Sequence, residues 1–245
     1  MYHITPLLDV HTHTLASGHA FSTLQEMVQA ARQKGLQYLG ITEHAPGIKG
    51  TCSPILFRNM HVIPRYVDGV HLLMGAELDI LDYEGNLDLD EDYYRRMDIR
   101  IAGIHSLCWT GGTRDQNTQG MIRAIQNPWV NVISHPGDGT AQLDFEPIVR
   151  AAADARTLLE INSSSLKPCR HKVEARDNNL EILRLSKQLD IPIILGSDAH
   201  VSYSVADYRY ALPLLEEVDF PLELVVNDKP DMFFEYTGLK VGGEE

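Results

Sequence analysis

The chain has 245 residues, of which 44% are hydrophobic and 22% charged, a composition typical of a globular protein and a length ordinary for one α/β barrel. Its net charge of -13 argues against extended nucleic-acid binding, because such binding needs a basic surface. The sequence has no long apolar run, no signal-peptide pattern and no CxxC pair among its three cysteines. These features predict a cytoplasmic protein that does not engage a membrane.

Short apolar runs alternate with helical segments along the chain. Seven strands are predicted, at residues 7–10, 38–42, 71–76, 99–104, 130–134, 157–161 and 191–197. Helices are predicted at 24–34, 145–156, 179–190 and 211–218, with Ser22 as the N-cap of the first. The long loop 45–69 is typical of a lid or binding loop, and the acidic stretch 88–92 is expected to begin a solvated helix.

The predicted strands are short, continuously apolar and separated by helices. This pattern is typical of parallel strands that are buried on both faces, and an α/β barrel in a single domain is the favoured fold. An open, doubly wound sheet is the alternative. It is less favoured because the chain has no G-x-G-x-x-G or P-loop motif to support nucleotide binding on such a sheet.

Six of the seven predicted strands end in His, Asp or Glu side chains that could bind a metal ion. In an α/β barrel the carboxyl ends of the strands gather at one rim, so these side chains would meet. Seven of the eleven histidines fall there, which packing alone does not explain because buried polar groups need partners. The candidate ligands are His11, His13, His19, His44, Glu77, His105, His135, Asp198 and His200.

Imidazole and carboxylate ligands without thiolate suit zinc, manganese or iron. Nine candidates are too many for one ion and indicate two or three. Glu77 is the predicted bridge, because the two oxygens of a carboxylate can span two ions. Asp9 could support an imidazole through a hydrogen bond or could make a simple strand-end hydrogen bond, and both interpretations stay open.

Six short motifs resemble, in the same order, those of the PHP (polymerase and histidinol phosphatase) family. They are Asp9-x-His11-x-His13, Thr42-Glu43-His44, Gly75-Ala76-Glu77, Gly103-Ile104-His105-Ser106, Ser134-His135-Pro136 and Gly196-Ser197-Asp198-Ala199-His200. The resemblance covers at least residues 9–200 and is strongest to the stand-alone YcdX-type phosphatases of that family. It implies a distorted (β/α)7 barrel, with residues 1–240 as a metal-dependent hydrolase domain and 241–245 as a flexible tail.

The resemblance also implies a trinuclear site, commonly of zinc, with Mn²⁺ or Fe²⁺ as alternatives to three Zn²⁺ per chain. One ion would be held by His11, His13, Glu77 and Asp198, a second by Glu77, His105 and His135, and a third by His19, His44 and His200. None of these positions departs from the family pattern. Glu43 has no place in this set, and strand alternation predicts that it faces away from His44.

A metal-dependent phosphatase acting on a small phosphorylated substrate is the expected function. A hydroxide that bridges metal ions near Glu77 would attack phosphorus in line, and no general acid is evident from the sequence. Arg170 and Asn162 are the candidate substrate contacts, with Arg58 or Arg65 as alternatives, since arginine binds phosphate bidentately. The oligomeric state is open.

Three other functions are less favoured by the sequence than a phosphatase. A phosphodiesterase or exonuclease of the same family is disfavoured by the acidic composition. An amidohydrolase-like C–N hydrolase usually supplies a lysine from the fourth strand, where this chain has His105. A non-enzymatic metal store is disfavoured because the predicted cluster lies at the open mouth of a barrel.

Overall fold

Seven parallel strands lie edge to edge and curl until the first is beside the last. The computed structural model describes residues 2–172 and 174–240. Its strands are β1 (Leu8–Asp9), β2 (Tyr38–His44), β3 (Tyr66–Val67), β4 (Val70–Asp79), β5 (Ile99–Gly103), β6 (Val132–Ile133), β7 (Leu158–Asn162) and β8 (Ile193–Gly196). Neighbours along β1-β2-β4-β5-β6-β7-β8 pair in parallel, and the short β3 pairs antiparallel with β4. The predicted distorted (β/α)7 barrel is confirmed, while the predicted tail 241–245 lies outside the described residues.

Helices follow most of the strands and cover the outside of the barrel. They are α1 (Leu24–Gln33), α2 (Pro54–Asn59), α3 (Glu91–Tyr94), α4 (Arg114–Ile125), α5 (Phe145–Ala155), α6 (Ala175–Leu189), α7 (Leu212–Glu217) and α8 (Pro230–Thr237). Thr23, and not the predicted Ser22, caps α1, because Thr23 forms a reciprocal capping box with Glu26. In the described part of the chain, none of the helices combines the length and apolar character needed to span a membrane.

The segment between β2 and α3 is more ordered than the sequence indicated. The predicted loop 45–69 contains α2 and the strand β3. The acidic stretch is not wholly solvated either, because the Asp88 carboxylate turns inward. It accepts hydrogen bonds from the backbone N–H groups of Gly47 (2.7 Å) and Asp79 (2.9 Å). The helix begins later, with Asp90 as its N-cap.

The seam between β1 and β8 has little ladder of its own. Beyond the strand ends, Thr12 and Ala199 form an isolated parallel bridge. Deeper in the barrel, the fully buried side chain of Asn227 bonds to the backbone of both strands. Its Oδ1 accepts from the N–H of Leu195 (2.7 Å), and its Nδ2 donates to the carbonyls of Leu195 (2.8 Å) and Leu8 (3.3 Å). Asn227 therefore closes the barrel where backbone pairing is sparse.

The interior of the barrel changes from apolar to polar along its axis. Because side chains alternate with a period of two, Leu73 and Glu77 share one side of β4, and Leu158 and Glu160 share one side of β7. The apolar layer belongs to a core cluster that also contains the fully buried Phe233 of α8. The polar layer lies toward the carboxyl ends of the strands, and this is the rim where the predicted ligands meet.

Candidate metal centre

Glu77 of β4 is fully buried at the centre of the predicted ligands. Its Oε2 atom lies 3.3 Å from Nε2 of His11, 3.4 Å from Nε2 of His13 and 3.0 Å from Nδ1 of His44. His11 and His13 follow β1, and His44 is the last residue of β2. Three histidines from two neighbouring strands thus face one carboxylate oxygen.

The other oxygen of Glu77 faces a second pair of imidazoles. Its Oε1 atom is 2.8 Å from Nε2 of His135 and 3.3 Å from Nε2 of His105. Both histidines lie two residues beyond a strand, after β6 and β5 respectively. The two oxygens of one carboxylate are therefore directed at different sets of histidines, as a bridging ligand requires.

Asp198 and His200, which follow β8, bring the last strand into the cluster. Asp198 Oδ1 is 3.2 Å from Nδ1 of His200, and Nε2 of His200 is 2.9 Å from Nε2 of His19. The ring of His19 also stacks on that of His44, with 4.9 Å between centroids. All nine predicted ligands thus come together at the carboxyl-terminal rim of the barrel.

Four of these side chains form two triplets that are spaced as ligands of a single ion would be. His11 Nε2 and His13 Nε2 are 3.1 Å apart, and Asp198 Oδ1 is 3.7 Å from the first and 3.5 Å from the second. Glu77 Oε2 completes the other triplet, at 3.3 Å and 3.4 Å from the same two nitrogens. Four donors at about 2.1 Å from a tetrahedral ion are about 3.4 Å apart, so each triplet has the spacing of ligands on one ion.

Several buried polar atoms here have no hydrogen-bond partner in the described part of the chain. They include Oε2 of Glu77, Nδ1 of His44 and Nε2 of His105. A buried polar atom without a partner is costly, and a bound cation would satisfy a carboxylate oxygen and imidazole lone pairs together. The residues present therefore fit a metal cluster of imidazole and carboxylate ligands.

Carboxylates behind the imidazoles hold two of them in place. Nδ1 of His11 lies 2.7 Å from Glu160 Oε1, and Nδ1 of His105 lies 2.6 Å from Asp79 Oδ1. In both rings this leaves Nε2 directed at Glu77. Such outer partners fix the tautomer and orientation of metal-binding histidines. The sequence-based ligand set did not include Glu160 or Asp79.

Glu43 supports a third imidazole indirectly. Nδ1 of His13 lies 3.3 Å from Ser17 Oγ, and that hydroxyl donates to Glu43 Oε2 at 2.5 Å. Glu43 also accepts a hydrogen bond from the hydroxyl of Thr14. It thus faces away from the imidazole of His44, as strand alternation predicted.

Asp9 makes the simpler of the two contacts considered for it. Its carboxylate accepts from Ser197 Oγ (2.5 Å) and from the N–H of Ala206 (2.8 Å), while Glu160 is the partner of His11. The expectation that Asp9 and His11 share a face relied on a regular strand through both positions. β1 ends at Asp9, so the alternation does not continue.

Two predicted ligands have a left-handed backbone, with φ of 34° at His135 and 49° at Asp198. Such a conformation costs about 1–3 kcal/mol outside glycine and persists only where neighbours enforce it. Glu160 helps to enforce the first, since its Oε2 accepts the backbone N–H of His135 at 2.7 Å. The close approach of β8 requires glycine, because a Cβ at Gly196 would be 1.5 Å from Glu160 Oε1.

Burial and neighbouring carboxylates act in opposite directions on the imidazoles. Burial lowers the pKa of His13 to about 4, and burial together with His13 lowers the pKa of His44 well below its ordinary value. Burial also acts downward on His105, but Glu77 and Asp79 outweigh it and raise its pKa to about 10. Because a ligand imidazole must be neutral, metal binding here would displace a proton from His105 but not from His13.

A cavity of about 530 Å³ opens above the cluster. Arg170 lines it and donates to Ser164 Oγ at 3.1 Å, whereas Asn162 is absent from its wall. Asn162 is fully buried, donates to Glu160 and accepts from the N–H of Ser165. Its prediction as a substrate contact is not supported, because both ends of its amide are used inside the protein.

The alternative arginines also lie elsewhere. The guanidinium of Arg58 stands 5.0 Å from the ring centroid of Tyr93, and Nε of Arg65 pairs with Asp98 at 2.6 Å. Neither arginine lines the cavity. Of the arginines considered, Arg170 alone is placed to meet a substrate in the described structure.

Comparison with known proteins identifies the family of this chain. Residues 9–133 match the PHP domain. A probable phosphatase of Acetivibrio thermocellus is 40% identical over 234 residues, which cover 96% of each chain. The chain belongs to the PHP family. Another relative of this PHP chain, a probable phosphatase of Caldicellulosiruptor saccharolyticus, is 40% identical over 232 residues, covering 95% of this chain and 96% of the relative.

A solved structure agrees with the PHP fold. The histidinol phosphate phosphatase of Lactococcus lactis, crystallised with zinc, L-histidinol and phosphate, superposes with a TM-score of 0.60. It is 19% identical and covers 88% of this chain and 95% of its own. At that identity the likeness shows the barrel alone. The prediction of a PHP-family enzyme of the phosphatase class is confirmed by the family match and by the full-length relatives together.

Proposed function

We propose that this PHP protein hydrolyses phosphate monoesters at a trinuclear metal site. The first ion would be held by His11, His13, Glu77 and Asp198, the second by Glu77, His105 and His135, and the third by His19, His44 and His200. Three Zn²⁺ per chain are proposed, with Mn²⁺ or Fe²⁺ as alternatives, because imidazole and carboxylate donors suit all three.

The observation that carries the proposal is the spacing around the first ion. Five separations among four donor atoms from the first, middle and last parts of the chain are 3.1 to 3.7 Å, close to the edge length of a tetrahedron around zinc. The atoms come from His11, His13, Glu77 and Asp198. A shared cation accounts for so close an approach of two imidazole nitrogens and two carboxylate oxygens in a buried position.

The role of Glu77 as the bridge is supported by its two oxygens. Oε2 faces the histidines of the first set, and Oε1 faces His105 and His135. Burial alone would raise the pKa of Glu77. The neighbouring histidines outweigh burial and hold this pKa well below its ordinary value. The carboxylate is thus ionised and available to two cations at once.

The chain's own side chains would position the substrate. When bound, the ions would supply hydroxide near neutral pH by lowering the pKa of a coordinated water, and would offset phosphoryl charge. Glu160 and Asp79 hold His11 and His105 in orientation, so the donor set needs little rearrangement. The cavity has room for a phosphate monoester, including its alcohol portion. Arg170 on the cavity wall is the proposed substrate contact.

The test combines metal content with substrate class. Elemental analysis should find three ions per chain, and the protein should hydrolyse p-nitrophenyl phosphate in preference to bis(p-nitrophenyl) phosphate. A chelator should abolish this activity and Zn²⁺ should restore it. Activity on the diester alone would replace the proposal with the phosphodiesterase or exonuclease alternative, and metal-free protein with full activity would refute it.

A pair of histidine substitutions makes the metal measurement specific to the site. His135→Ala should lower the number of ions per chain, because its Nε2 faces the proposed bridge at 2.8 Å. His61→Ala is the matched control, since His61 is exposed and bonds through Nδ1 to the carbonyl of Arg58. Equal metal content in the two variants would count against the assigned ligand set.

A further inference from the structure

Cationic side chains reach the wall of the cavity although the protein as a whole is strongly acidic. Lys49, Arg170 and Lys172 reach its wall in addition to the proposed metal ligands. A volume of about 530 Å³ is in the range that holds a whole small-molecule ligand and exceeds the needs of a phosphate ion. The extra cations therefore lie beside whatever the phosphate is attached to.

A second cavity of about 300 Å³ adjoins the first. The two share Ser165 and Lys172. Arg170 lines the first cavity, and Lys167, His171 and Arg176 line the second. Residues 167–172, here called the basic rim, contain three lysine or arginine residues, one histidine and no carboxylate. In a chain with a net charge of -13, this is a local reversal of charge at the mouth of the site.

Two cations of the basic rim have no acidic partner among residues 2–172 and 174–240. Lys167 forms no ion pair there, and Arg170 bonds to the neutral hydroxyl of Ser164 at 3.1 Å. Lys172, by contrast, pairs with Asp138, and Arg176 just beyond the rim pairs with Glu217. The charges of Lys167 and Arg170 are thus available to an anionic group of a ligand.

We propose that the basic rim is a second anion subsite, so that the preferred substrates carry another anionic group, phosphate or carboxylate, besides the scissile phosphate. This rests on the proposed function, since the metal centre is taken to hold the scissile group. The guanidinium of Arg170 can bind either anion through two parallel hydrogen bonds, and Lys167 adds a point charge. Together they select the substrate by its distal end.

Matched substrates test the subsite in the zinc-loaded protein. Fructose 1,6-bisphosphate is compared with fructose 6-phosphate for a distal phosphate, and 3-phosphoglycerate with glycerol 3-phosphate for a distal carboxylate. We expect kcat/KM to favour the doubly anionic member of at least one pair by about 10-fold or more, equivalent to about 1.4 kcal/mol. Equal kcat/KM within both pairs would overturn the inference while leaving the phosphatase intact.

Charge-removing variants assign that preference to residues. Lys167→Gln and Arg170→Gln should each reduce it by about threefold or more, while Lys187→Gln should not. Lys187 is a suitable control because it lies in the last turn of α6 and bonds to the carbonyls of Val218 and Asp219. A preference that persists in both rim variants would contradict the subsite.

A binding measurement keeps the subsite testable even without turnover. Butane-1,4-bisphosphonate and butylphosphonate have C–P bonds that a phosphatase does not cleave, and calorimetry on zinc-loaded protein gives both affinities. We expect the bisphosphonate to bind about 10-fold tighter or more, with a gap that shrinks in the rim variants and at high salt. Tighter binding without monoesterase activity would retain the subsite and reject the proposed function, whereas equal binding would reject the subsite.

Cys169 reports where the second anionic group lies. It is the exposed cysteine and falls within the basic rim, whereas Cys52 is buried and Cys108 is partly buried. Alkylation of Cys169 by neutral iodoacetamide, followed by mass spectrometry, should be slowed by the bisphosphonate and not by the monophosphonate. Equal labelling with the two ligands would place the distal group elsewhere.

Discussion

Glu160 Oε1 lies 2.7 Å from Nδ1 of His11, and this pairing turns the imidazole so that Nε2 faces Glu77. The second oxygen of Glu160 accepts the backbone N–H of His135. One buried carboxylate on β7 therefore positions two proposed ligands that reach the rim from β1 and β6. It is a ligand of none of the three proposed ions, yet it positions ligands of the first and of the second.

Replacing Glu160 by glutamine should weaken metal binding without unfolding the barrel. The glutamine amide has one oxygen that can accept a hydrogen bond, and its nitrogen only donates. It therefore cannot accept from both the imidazole of His11 and the backbone N–H of His135. We expect a loss of about 10–100-fold in zinc affinity, measured by competition with a chromogenic chelator. Glu181→Gln, on the exposed face of α6, is the control. Unchanged affinity in Glu160→Gln would show that His11 is oriented by packing alone.

Substitution at the proposed bridge should have a larger effect. Glu77→Gln leaves one oxygen as a donor, so two ions would compete for it. We expect fewer ions per chain by elemental analysis and a loss of monoesterase activity of more than about 100-fold, since even outer partners account for 10–100-fold. Asp79→Asn, which removes the carboxylate behind His105 and leaves the proposed ligands in place, should fall between Glu77→Gln and the wild type.

The Asp88 site makes stability depend on pH. Burial, followed by the charge of Asp79, raises the pKa of Asp88 above its ordinary value of 3.8. The folded protein therefore keeps a proton that the unfolded chain has lost, so this group lowers stability as pH rises from about 4 through the raised pKa. Asp88→Asn cannot ionise, so its stability relative to the wild type should rise with pH across that range, on top of a pH-independent cost for replacing one oxygen that accepts a backbone N–H.

Urea unfolding of the wild type and of Asp88→Asn at about pH 5 and about pH 8.5 measures this difference in the free energy of unfolding. The free energy of unfolding of the variant relative to that of the wild type should be greater at the higher pH. Asp154→Asn, at an exposed position of α5, provides the matched control. A difference that does not vary with pH would mean that Asp88 ionises normally in the folded protein.

The seam between β1 and β8 should be sensitive to Asn227. Asn227→Ala leaves the backbone N–H and the carbonyl of Leu195 without this partner in a buried position, while the carbonyl of Leu8 keeps the Tyr208 hydroxyl. We expect the free energy of unfolding to fall by about 2–4 kcal/mol in urea denaturation. Asn59→Ala, at an exposed position that ends α2, should change it little. A similar result for both variants would show that water or local rearrangement satisfies the seam.

Eight of the nine proposed ligands could be predicted because their position follows from topology, whereas His19 lies in the loop after β1 and was indicated by the family resemblance. Parallel strands bring their carboxyl ends to one rim, so polar residues at those ends meet whatever the details of packing. Asn162 shows the limit of this rule. It also ends a strand, but its short side chain bonds to Glu160 and Ser165 within the barrel.

The supporting residues were harder to predict, because their partners come from distant parts of the sequence. Glu160 lies inside a predicted strand of apolar residues, and a carboxylate between Leu159 and Ile161 is unusual enough to indicate a buried partner. Helix α4 has a weak apolar periodicity because its apolar residues fall late in the segment. The capping box of Thr113 and Gln116 was the available signal.

The proposed first ion joins residues that follow β1 to residues that follow β8, the same two strands whose backbone pairing is sparse. During synthesis, His11 and His13 leave the ribosome long before Asp198, so a nascent chain has only part of the donor set. The complete donor set would exist only once the barrel has closed, and an ion bound there would link the two edges of the sheet and resist their separation.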